Sequence, residues 1–461
     1  MISYLRAWWN CRSSLAVLAE WAALRAPHRI ALEDEQGCLT YAQLLGKMHR
    51  LALRLQDLGL RPGGRVALMC PNGREFVLGL LACLRLGAEV LPLDPATPEL
   101  RLQKLLQLQG IQQVLRPEDL SCAEASFQGR LPGLKSPGQL IVLTSGTTGV
   151  AKGVRRRPTL WQLLPLTVGL LRGLPLRPCS PMALAIPLFH GYGLAALAMA
   201  LFLLDPLVLA RRLDIGPLLR RCPGAFLISV PTLLRRWLQQ PQLEPVRAIL
   251  TGSAPLAPEL CLELLERCGP CLYNLYGTSE AGVIALASPK DLQAAPGCVG
   301  FALPGNRIRL DSSPGPIRVQ GPLVVGAGPQ GWYFTGDLGR LDEQGRLHVC
   351  GRADSMFVSG GENVYPHEIE EVVCSHPEVA EALVLVVKDD DFGQRAVVVV
   401  RPEAHDTLDE KELRMWTEAR LERCKRPRNY YLLPELPLNA LGKIDRPRLV
   451  QTLGLTTGGP A

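Results

Sequence analysis

A glycine- and hydroxyl-rich segment, residues 143–154 (LTSGTTGVAKGV), combines the residue types that bind phosphate. Glycine lets the backbone turn tightly and bring its N–H groups close to anionic oxygens, while hydroxyl and ammonium groups supply further donors. The P-loop of NTPases has its lysine directly after the second glycine, whereas Lys152 comes three residues after Gly149. The segment therefore predicts a phosphate-binding loop of a different geometry.

Four later segments also place acids or hydroxyls beside glycine at predicted turns. Each of them alone is equally compatible with a structural turn that has a charged neighbour. The segments are YGTSEAG (276–282), YFTGD (333–337), GRADSMFVSGGENVYPHEIE (351–370) and PLNALGKIDR (437–446). What is informative is the order in which these four segments follow residues 143–154 along the chain.

In this order the five segments resemble the adenylate-forming superfamily of acyl-CoA synthetases, aryl-CoA ligases, firefly luciferase and peptide-synthetase adenylation domains. The resemblance covers nearly the whole chain. It implies an α/β fold with a large N-terminal domain, residues 1–353, made of two α/β layers and a small β-barrel. A small mobile α+β domain, residues 354–461, would follow, with the active site between the two.

The resemblance also implies the reaction and its cofactors. A carboxylate attacks the α-phosphorus of ATP, pyrophosphate leaves, and a thiol then attacks the acyl-adenylate. Both steps develop negative charge, so preorganised donors should dominate catalysis. ATP and Mg²⁺ are therefore expected cofactors, and a small carboxylic acid is the expected substrate.

Individual residues acquire expected roles by the same resemblance. Glu280 matches the acid associated with Mg²⁺, and Thr148 is expected as a second metal contact; carboxylate and phosphate oxygens suit this ion. Lys443 matches the lysine that enters the site during adenylation, so Lys443, Glu280 and Thr148 are the expected catalytic residues. Asp354 matches the hinge of the small domain. The residues expected to hold the nucleotide are Thr144, Ser145, Gly146, Thr147, Thr148, Gly149, Lys152, Tyr276, Gly277, Thr278, Asp337 and Arg352.

The acid that is activated is less well defined by the sequence. Relatives that activate amino acids carry a Phe-Asp pair where this chain has Phe189-His190, so the anchor for a substrate ammonium group is missing. His190, which could also be a core histidine, is expected to line the acyl pocket. Small residues at Gly252, Ser253 and Ala254 leave room there for a ring or a chain. An aromatic or fatty acid is therefore favoured.

Coenzyme A is the expected thiol acceptor. Residues 92–102 (PLDPATPELRL) resemble the peptide-synthetase branch, so loading of a phosphopantetheinyl acyl carrier protein stays open as an alternative. A rival from another class is a binding protein that holds nucleotide or acyl groups without turnover. The joint presence of five residues favours the enzyme, namely Lys152, Glu280, Asp337, Arg352 and Lys443.

Two further motifs match known fingerprints by letter only. Cys268 and Cys271 have the thioredoxin spacing, but they follow a predicted helix, whereas a low-pKa thiolate needs a helix N-terminus. A zinc site would need a second ligand pair at matching spacing. Residues 191–196 (GYGLAA) fit a dinucleotide-binding pattern, but they lie within the predicted acyl pocket. Neither motif is expected to be functional in that way.

The elements between these motifs alternate between helix and strand. Residues 41–59 carry apolar residues at a 3.6-residue period, whereas LIVLT (140–144), AFLIS (225–229) and RAILT (247–251) are typical of buried strands. Such alternation predicts parallel α/β layers, in which ligands lie at the carboxyl ends of the strands. The phosphate-binding loop begins at such an end. After residue 296, short strands between glycine and proline turns predict a small antiparallel unit.

Composition excludes several other classes of function. With 47% hydrophobic and 20% charged residues the 461-residue chain has ample core material, and a net charge of +7 is too small to indicate nucleic-acid binding. The longest uncharged run, residues 180–204, is broken by prolines, and its helical part would span about 18 Å of a roughly 30 Å bilayer core. The 14 cysteines show no disulfide framework, and no secretory signal is evident. We therefore expect a cytoplasmic protein without a transmembrane segment.

Overall fold

The fold was analysed in a computed structural model. It describes residues 7, 11, 14–120, 131, 133–134, 136–144, 152–155, 160–355, 357–359, 362–389, 392–403, 408–439 and 443–455.

Helices and short strands alternate along this part of the chain. The helices are α1 (Ala16–Arg25), α2 (Tyr41–Asp57), α3 (Arg74–Arg85), α4 (Glu99–Gln109), α5 (Pro117–Leu120), α6 (Leu160–Gly173), α7 (Gly191–Leu203), α8 (Ile215–Arg221), α9 (Pro231–Leu238), α10 (Pro258–Cys268), α11 (Pro289–Ala294), α12 (Pro366–Cys374), α13 (Glu410–Glu418) and α14 (Arg446–Thr452). Short 3-10 turns are found at Pro329–Gly331, Ala353–Ser355 and Arg423–Lys425.

The strands form four sheets. They are β1 (Ile30–Asp34), β2 (Gly37–Thr40), β3 (Arg65–Leu68), β4 (Glu89–Pro92), β5 (Gln113–Leu115), β6 (Gln139–Thr144), β7 (Lys152–Arg155), β8 (Met182–Leu184), β9 (Leu207–Leu209), β10 (Ala225–Ser229), β11 (Val246–Gly252), β12 (Leu272–Thr278), β13 (Gly282–Ala287), β14 (Phe301–Ala302), β15 (Arg307–Leu310), β16 (Gly315–Gln320), β17 (Tyr333–Leu341), β18 (Leu347–Arg352), β19 (Phe357–Ser359), β20 (Glu362–Val364), β21 (Val379–Asp389), β22 (Gly393–Pro402) and β23 (Tyr430–Leu432).

The largest sheet has nine strands in the order β14-β13-β12-β11-β10-β8-β9-β1-β2. Its centre, from β12 to β1, is parallel, and the strands at both edges pair antiparallel. Every residue of β10 is buried, as expected for a central parallel strand covered on both faces. The predicted parallel α/β layers are therefore confirmed.

A second sheet has the order β5-β3-β4-β6-β7 and is parallel except for the β6–β7 pair. The strand predicted at LIVLT is β6, so the phosphate-binding loop does leave the carboxyl end of a parallel strand. In the register of the β6–β7 hairpin, Thr144 lies opposite Lys152.

The rest of the chain forms two smaller sheets. Strands β15 to β18 make a four-stranded antiparallel sheet, which is the small antiparallel unit expected after residue 296. Its order is open, since β15 and β18 do not pair, so these four strands do not form the expected β-barrel. Strands β19 to β23 make a five-stranded sheet that packs with α12 and α13. This is the α+β unit expected at the C-terminal end.

Local sequence signals explain where the long helix α2 begins and which face it buries. The Thr40 side chain accepts a hydrogen bond from the backbone N–H of Gln43, and the Gln43 side chain accepts one from the N–H of Thr40. This capping box satisfies two amides of the first helical turn. Along the helix, Leu44, Met48 and Leu51 face the core at helical spacing.

The apolar run around residue 200 is a buried helix of the large domain, as predicted. Most of α7 is buried. Among the residues that the structure describes, no helix is long and apolar enough to cross a membrane.

A buried ion pair connects the two large sheets. Asp34, at the end of β1, accepts hydrogen bonds from the backbone N–H of Arg74 at 2.9 Å and from the Arg74 guanidinium. The carboxylate is almost fully buried, and it also accepts the N–H of Gln36. Burial alone would raise the pKa of Asp34, but the hydrogen bonds and charge of Arg74 outweigh it and hold the pKa below its ordinary value.

We predict that Asp34→Asn destabilises the protein by about 2–4 kcal/mol at pH 7, because the buried guanidinium loses its counter-charge. The folded-state pKa of Asp34 is depressed, so its contribution is present above the unfolded-state value of about 4 and is lost as pH falls. In urea titrations, the difference between wild type and Asp34→Asn should shrink below about pH 4.

The matched control is Asp311→Asn, which breaks an exposed pair with Arg318 and should change stability much less. Equal effects of the two substitutions, or a pH-independent difference for Asp34→Asn, would contradict the assignment.

Candidate functional site

Asp337, on β17, is held between two side chains from neighbouring elements. The Tyr276 hydroxyl donates to Asp337 Oδ2 at 2.6 Å, and the Arg352 guanidinium lies 3.3 Å from Oδ1. The register of β17 and β18 places Asp337 directly opposite Arg352. Gly336 permits this arrangement, because a Cβ there would lie 2.7 Å from the guanidinium. The three residues predicted to hold the nucleotide here are thus brought together.

The electrostatics of this group keep Tyr276 protonated. Burial, followed by the charge of Asp337 and its hydrogen bond, raises the pKa of the Tyr276 hydroxyl well above its ordinary value. The phenol therefore remains a donor at neutral pH and fixes one carboxylate oxygen. A carboxylate has about four acceptor positions, so a side chain of this type can accept several hydrogen bonds at once.

Glu280 lies close to this group, beside the hydroxyl of Tyr333. Burial and then the charge of Glu280 raise the pKa of the Tyr333 hydroxyl to about 12. Tyr333 was not among the predicted site residues. The alternation along YFTGD places Tyr333 on the same face of β17 as Thr335 and Asp337, but it does not indicate that Glu280 lies beside it.

The turn that carries Glu280 is closely packed. A Cβ on Gly277 would lie 2.4 Å from the carbonyl oxygen of Gly282, so only glycine fits. The Thr278 hydroxyl accepts a hydrogen bond from the N–H of Ala281 at 3.0 Å. Gly277 and Thr278 therefore shape the turn, whatever they contribute to a ligand.

The residues fit the mode in which Mg²⁺ is bound together with a nucleotide. Among the described residues there is no cluster of three or more acidic, histidine or cysteine side chains that could hold a metal ion. Mg²⁺ commonly takes one or two carboxylates, substrate phosphates and several waters, so Glu280 alone can supply the protein carboxylate. Thr148, the other expected contact, lies outside the described residues.

Most of the phosphate-binding loop also lies outside the described residues. This applies to Ser145, Gly146, Thr147, Thr148 and Gly149. For Thr144 and Lys152 the backbone is described, and both belong to the β6–β7 hairpin.

His190 lies immediately before helix α7, in the predicted acyl pocket. Its ring is 5.0 Å from the ring of Phe189. Burial lowers the pKa of His190 to about 4, and the positive charge of Lys443 lowers it as a smaller contribution. Lys443, in the C-terminal segment, thus lies close enough to His190 for its charge to act on the histidine ring.

Lys443 lies where residues 443–445 pair with residues 437–439, and we call these two paired segments the lysine hairpin. The N–H of Asn439 donates to the carbonyl of Lys443 at 2.8 Å, and the N–H of Asp445 donates to that of Pro437 at 2.7 Å. Leu438 and Ile444 form an antiparallel bridge. Burial lowers the pKa of the Lys443 ammonium group.

The remaining predicted pocket residues follow the carboxyl end of β11. Gly252 is buried, Ala254 is half-buried and Ser253 is exposed, with a left-handed backbone at φ +65°. A Cβ on Gly252 would lie 2.6 Å from the carbonyl oxygen of Leu275 on β12. The absence of a side chain at this position is therefore required by strand packing, in addition to any room it leaves for a substrate.

The predicted hinge residue Asp354 belongs to the 3-10 turn Ala353–Ser355, between the four-stranded and the five-stranded sheets.

The Cys268–Cys271 pair behaves as expected of non-functional thiols. Cys268 ends α10, and burial raises the pKa of Cys268 and brings that of Cys271 to about 12. Both side chains are thus thiols at neutral pH, unlike a redox-active pair.

Known proteins resemble the chain over nearly its whole length. A family model described as "AMP-binding enzyme" matches residues 19–133 and 135–331, and one described as "AMP-binding enzyme C-terminal domain" matches residues 368–443. The chain is 32% identical to a 2-succinylbenzoate–CoA ligase of Geobacillus kaustophilus, over 96% of this chain and 99% of that protein. It is 30% identical to an indoleacetate–CoA ligase of Aromatoleum aromaticum, over 95% of this chain and 99% of that protein.

Solved structures show the same similarity. The o-succinylbenzoate–CoA synthetase of Bacillus subtilis, in complex with its acyl-adenylate intermediate, superposes with a TM-score of 0.81 at 28% identity. The match covers 94% of this chain and 97% of that one. The same synthetase is also known in complex with ATP and a magnesium ion.

The placement of Lys443 near His190 leads to a prediction about histidine titration. His190 should stay neutral down to about pH 4, and Lys443→Ala should raise its pKa, because a nearby positive charge is removed. NMR of protein with isotope-labelled histidine, assigned through His190→Gln, measures both values.

His367 is the internal control, because burial lowers its pKa without any contribution from Lys443. Its titration should be the same in both proteins. A His190 pKa that does not move in Lys443→Ala would show that the lysine hairpin lies elsewhere.

Proposed function

The chain belongs to the AMP-binding enzymes and is an AMP-forming acid–thiol ligase, and we propose that it activates an aromatic carboxylic acid and transfers the acyl group to coenzyme A. The observation that carries the proposal is the position of Lys443, a cation brought by the C-terminal segment to the acyl pocket around His190. Two relatives support an aromatic acid, since one is named for succinylbenzoate and the other for indoleacetate.

In the first half-reaction the substrate carboxylate attacks the α-phosphorus of ATP, and the bond to pyrophosphate breaks. Negative charge accumulates between the carboxylate and the phosphate, where the ammonium group of Lys443 stabilises it. Such a donor is most effective in a site shielded from water, and the burial of Lys443 meets that condition. Neutral His190 adds no competing charge next to the acid.

The nucleotide is held at the other end of the site. Asp337 accepts the ribose hydroxyls while Tyr276 and Arg352 fix its orientation. Glu280 would hold Mg²⁺, with Thr148 as second contact, and the Tyr333 hydroxyl lies beside the Glu280 carboxylate. Mg²⁺, when bound, supplies positive charge that offsets the charge of the phosphates. The phosphates themselves are assigned to the loop from Thr144 to Lys152.

In the second half-reaction the thiol sulfur attacks the acyl carbon, the bond to AMP breaks, and the thiol proton leaves. We propose that residues 354–461 move as a unit relative to residues 1–353, turning about Asp354, so that Lys443 withdraws before the thiol enters. Coenzyme A is the acceptor we favour, because both relatives are CoA ligases. The cytoplasm is the proposed location, since the described cysteines are free thiols.

The test is ATP–pyrophosphate exchange over a panel of aromatic, aliphatic and amino acids, followed by acyl transfer to coenzyme A or to a holo-carrier protein. Aromatic acids should give the highest exchange rates, and coenzyme A should be the better acceptor. Exchange with amino acids alone would overturn the substrate class, and transfer to the carrier protein alone would overturn the acceptor.

We predict that Lys443→Ala reduces adenylate formation by about 10²–10³-fold, because a transition-state donor is lost. Thioester formation from supplied acyl-adenylate should be largely unaffected, since the lysine has withdrawn by then. The two half-reactions are measured separately, with Lys411→Ala, an exposed lysine of α13, as control. Equal losses in both half-reactions would refute the assigned role.

A polar contact lies between the large domain and the C-terminal segment that carries Lys443. Arg235 of α9 lies 3.8 Å from Glu381 of β21, and Glu381 also accepts a hydrogen bond from Arg401 at 3.1 Å. Nearby, burial and then the charge of Glu259 raise the pKa of Glu371 on α12. The pair Arg235–Glu381 therefore stabilises the domain arrangement proposed for adenylate formation relative to the arrangement proposed for thioester formation.

We predict that Arg235→Gln slows adenylate formation roughly two- to fivefold, the equivalent of about 0.5–1 kcal/mol for one partly exposed ion pair. Acyl transfer from supplied acyl-adenylate should be unchanged or faster, because the substitution destabilises the adenylate-forming arrangement that competes with the arrangement for acyl transfer. The control is Arg220→Gln, which removes an ion pair with Glu244 inside the large domain and should leave the ratio of the two rates unchanged. A parallel fall in both rates for Arg235→Gln would exclude this role.

A further inference from the structure

We propose that Asn72 is a positioning residue for acid binding, because its amide fixes the turn that carries Phe189 and His190. The substrate role of Asn72 rests on the proposed function, whereas its effect on the position of this turn can be tested without measuring activity. We call residues 186–190 (IPLFH) the pocket turn.

Asn72 holds the pocket turn with both ends of its side-chain amide. Its Nδ2 donates to the carbonyl oxygen of Ile186 at 2.8 Å, and its Oδ1 accepts from the N–H of Leu188 at 2.8 Å. The asparagine is 5% exposed, and Ile186 and Leu188 are buried as well. The partners also fix the orientation of the amide, because a carbonyl needs a donor and an N–H needs an acceptor.

The pocket turn begins where the sheet stops supporting the chain. Strand β8 ends at Leu184, and the N–H of Ala185 still donates to the carbonyl of Ile228 on β10. Beyond it, Pro187 has no N–H, so it can make no hydrogen bond of that kind. Asn72 supplies partners for the buried backbone groups on either side of this proline. Leaving such groups unsatisfied is costly, so the turn would shift without the amide.

The other side of the pocket turn is fixed by helix α7. A Cβ on Gly193 would lie 2.2 Å from the carbonyl oxygen of Pro187, so the first turn of α7 packs directly against the pocket turn. The glycine that resembled a dinucleotide-binding motif has this packing role. The pocket turn is thus enclosed between Asn72 and α7, which leaves Phe189 and His190 in defined positions.

Asn72 also connects two layers of the fold. It follows β3 of the five-stranded sheet, whereas the pocket turn follows β8 of the nine-stranded sheet. A change at Asn72 should therefore move His190 relative to Lys443, where the acid binds. Asp337 and Tyr276, at the nucleotide end, are held by bonds of their own and should not move.

The first variant is Asn72→Ala. We expect the KM for the acid to rise by about 10–100-fold in pyrophosphate exchange, as for a misplacement of about 1 Å at a reacting group, while the KM for ATP stays close to wild type. The control is Asn306→Ala, which removes an amide that donates to the carbonyls of Val283 and Ile284. The control should lose stability without a change in the KM for the acid.

The second variant, Asn72→Asp, provides a pH test. A protonated aspartic acid can donate to the Ile186 carbonyl and accept from the Leu188 N–H, whereas the carboxylate repels that carbonyl. The KM for the acid should therefore approach the wild-type value at low pH and rise with pH, unlike that of Asn72→Ala. The neighbouring titratable groups Asp34, Cys70, Arg74 and Glu75 are present in both variants, so the comparison isolates position 72.

Failure of this proposal can be separated from failure of the proposed function. Wild-type protein that supports no exchange with any acid refutes the function. The pKa of His190, measured by NMR, reports the pocket turn independently of activity and should rise in Asn72→Ala as the ring becomes less buried. An unchanged His190 pKa, parallel increases in both KM values, or identical pH profiles for Asn72→Asp and Asn72→Ala would overturn the role of Asn72.

Discussion

The half-buried ammonium group of Lys443 is the constraint on which the arrangement of the site depends. A cation that leaves water loses hydration free energy, and the pKa of Lys443 is lowered accordingly. Among the described residues no carboxylate forms an ion pair with it, and its neighbour His190 is neutral at physiological pH. In the proposed reaction, the compensating negative charge comes from the substrates, a carboxylate and a nucleotide phosphate. On that proposal, binding of both anions favours the position of Lys443, so binding free energy is used at the reacting atoms.

The two ends of the site are fixed in different ways. At the nucleotide end, side chains hold side chains, because Tyr276 and Arg352 both bind Asp337. At the acyl end, side chains hold backbone: Asn72 binds the pocket turn, and the Tyr192 hydroxyl donates to the carbonyl of Leu250 at 3.0 Å. These hydrogen bonds fix the backbone. The side chains proposed to face the acid can therefore differ without disturbing the backbone that carries them. This difference suits a family in which the nucleotide is constant and the acid changes.

Local patterns in the sequence were sufficient for the elements and for part of the site. The apolar run LIVLT became β6, the periodic segment after Thr40 became α2, and the buried run around residue 200 became α7. Asp337 and Glu280 were identified through the resemblance of the five ordered segments to the adenylate-forming superfamily, because each segment alone was equally compatible with a structural turn. Tyr333 was missed because its role depends on a partner 53 positions away in the chain, Glu280. Asn72 was missed for the same reason, since its partners lie more than 110 positions later. Pairings of this kind depend on how the layers pack, and neither periodicity nor composition encodes them.

The distribution of apolar residues explains why a polar contact joins the two parts of the protein. In the described chain, each hydrophobic core lies entirely before or entirely after residue 354. An apolar interface would have to be exposed to water in every turnover, at a free-energy cost proportional to its area. The pair Arg235–Glu381 can instead exchange its partners for water at little net cost. Stability is thus concentrated within each part, and the contact between them is left weak enough to break. A weak contact fits the proposed movement of residues 354–461. On that proposal, the charge of the bound anions helps to position Lys443, so anion binding and the movement of the small domain are coupled through this cation.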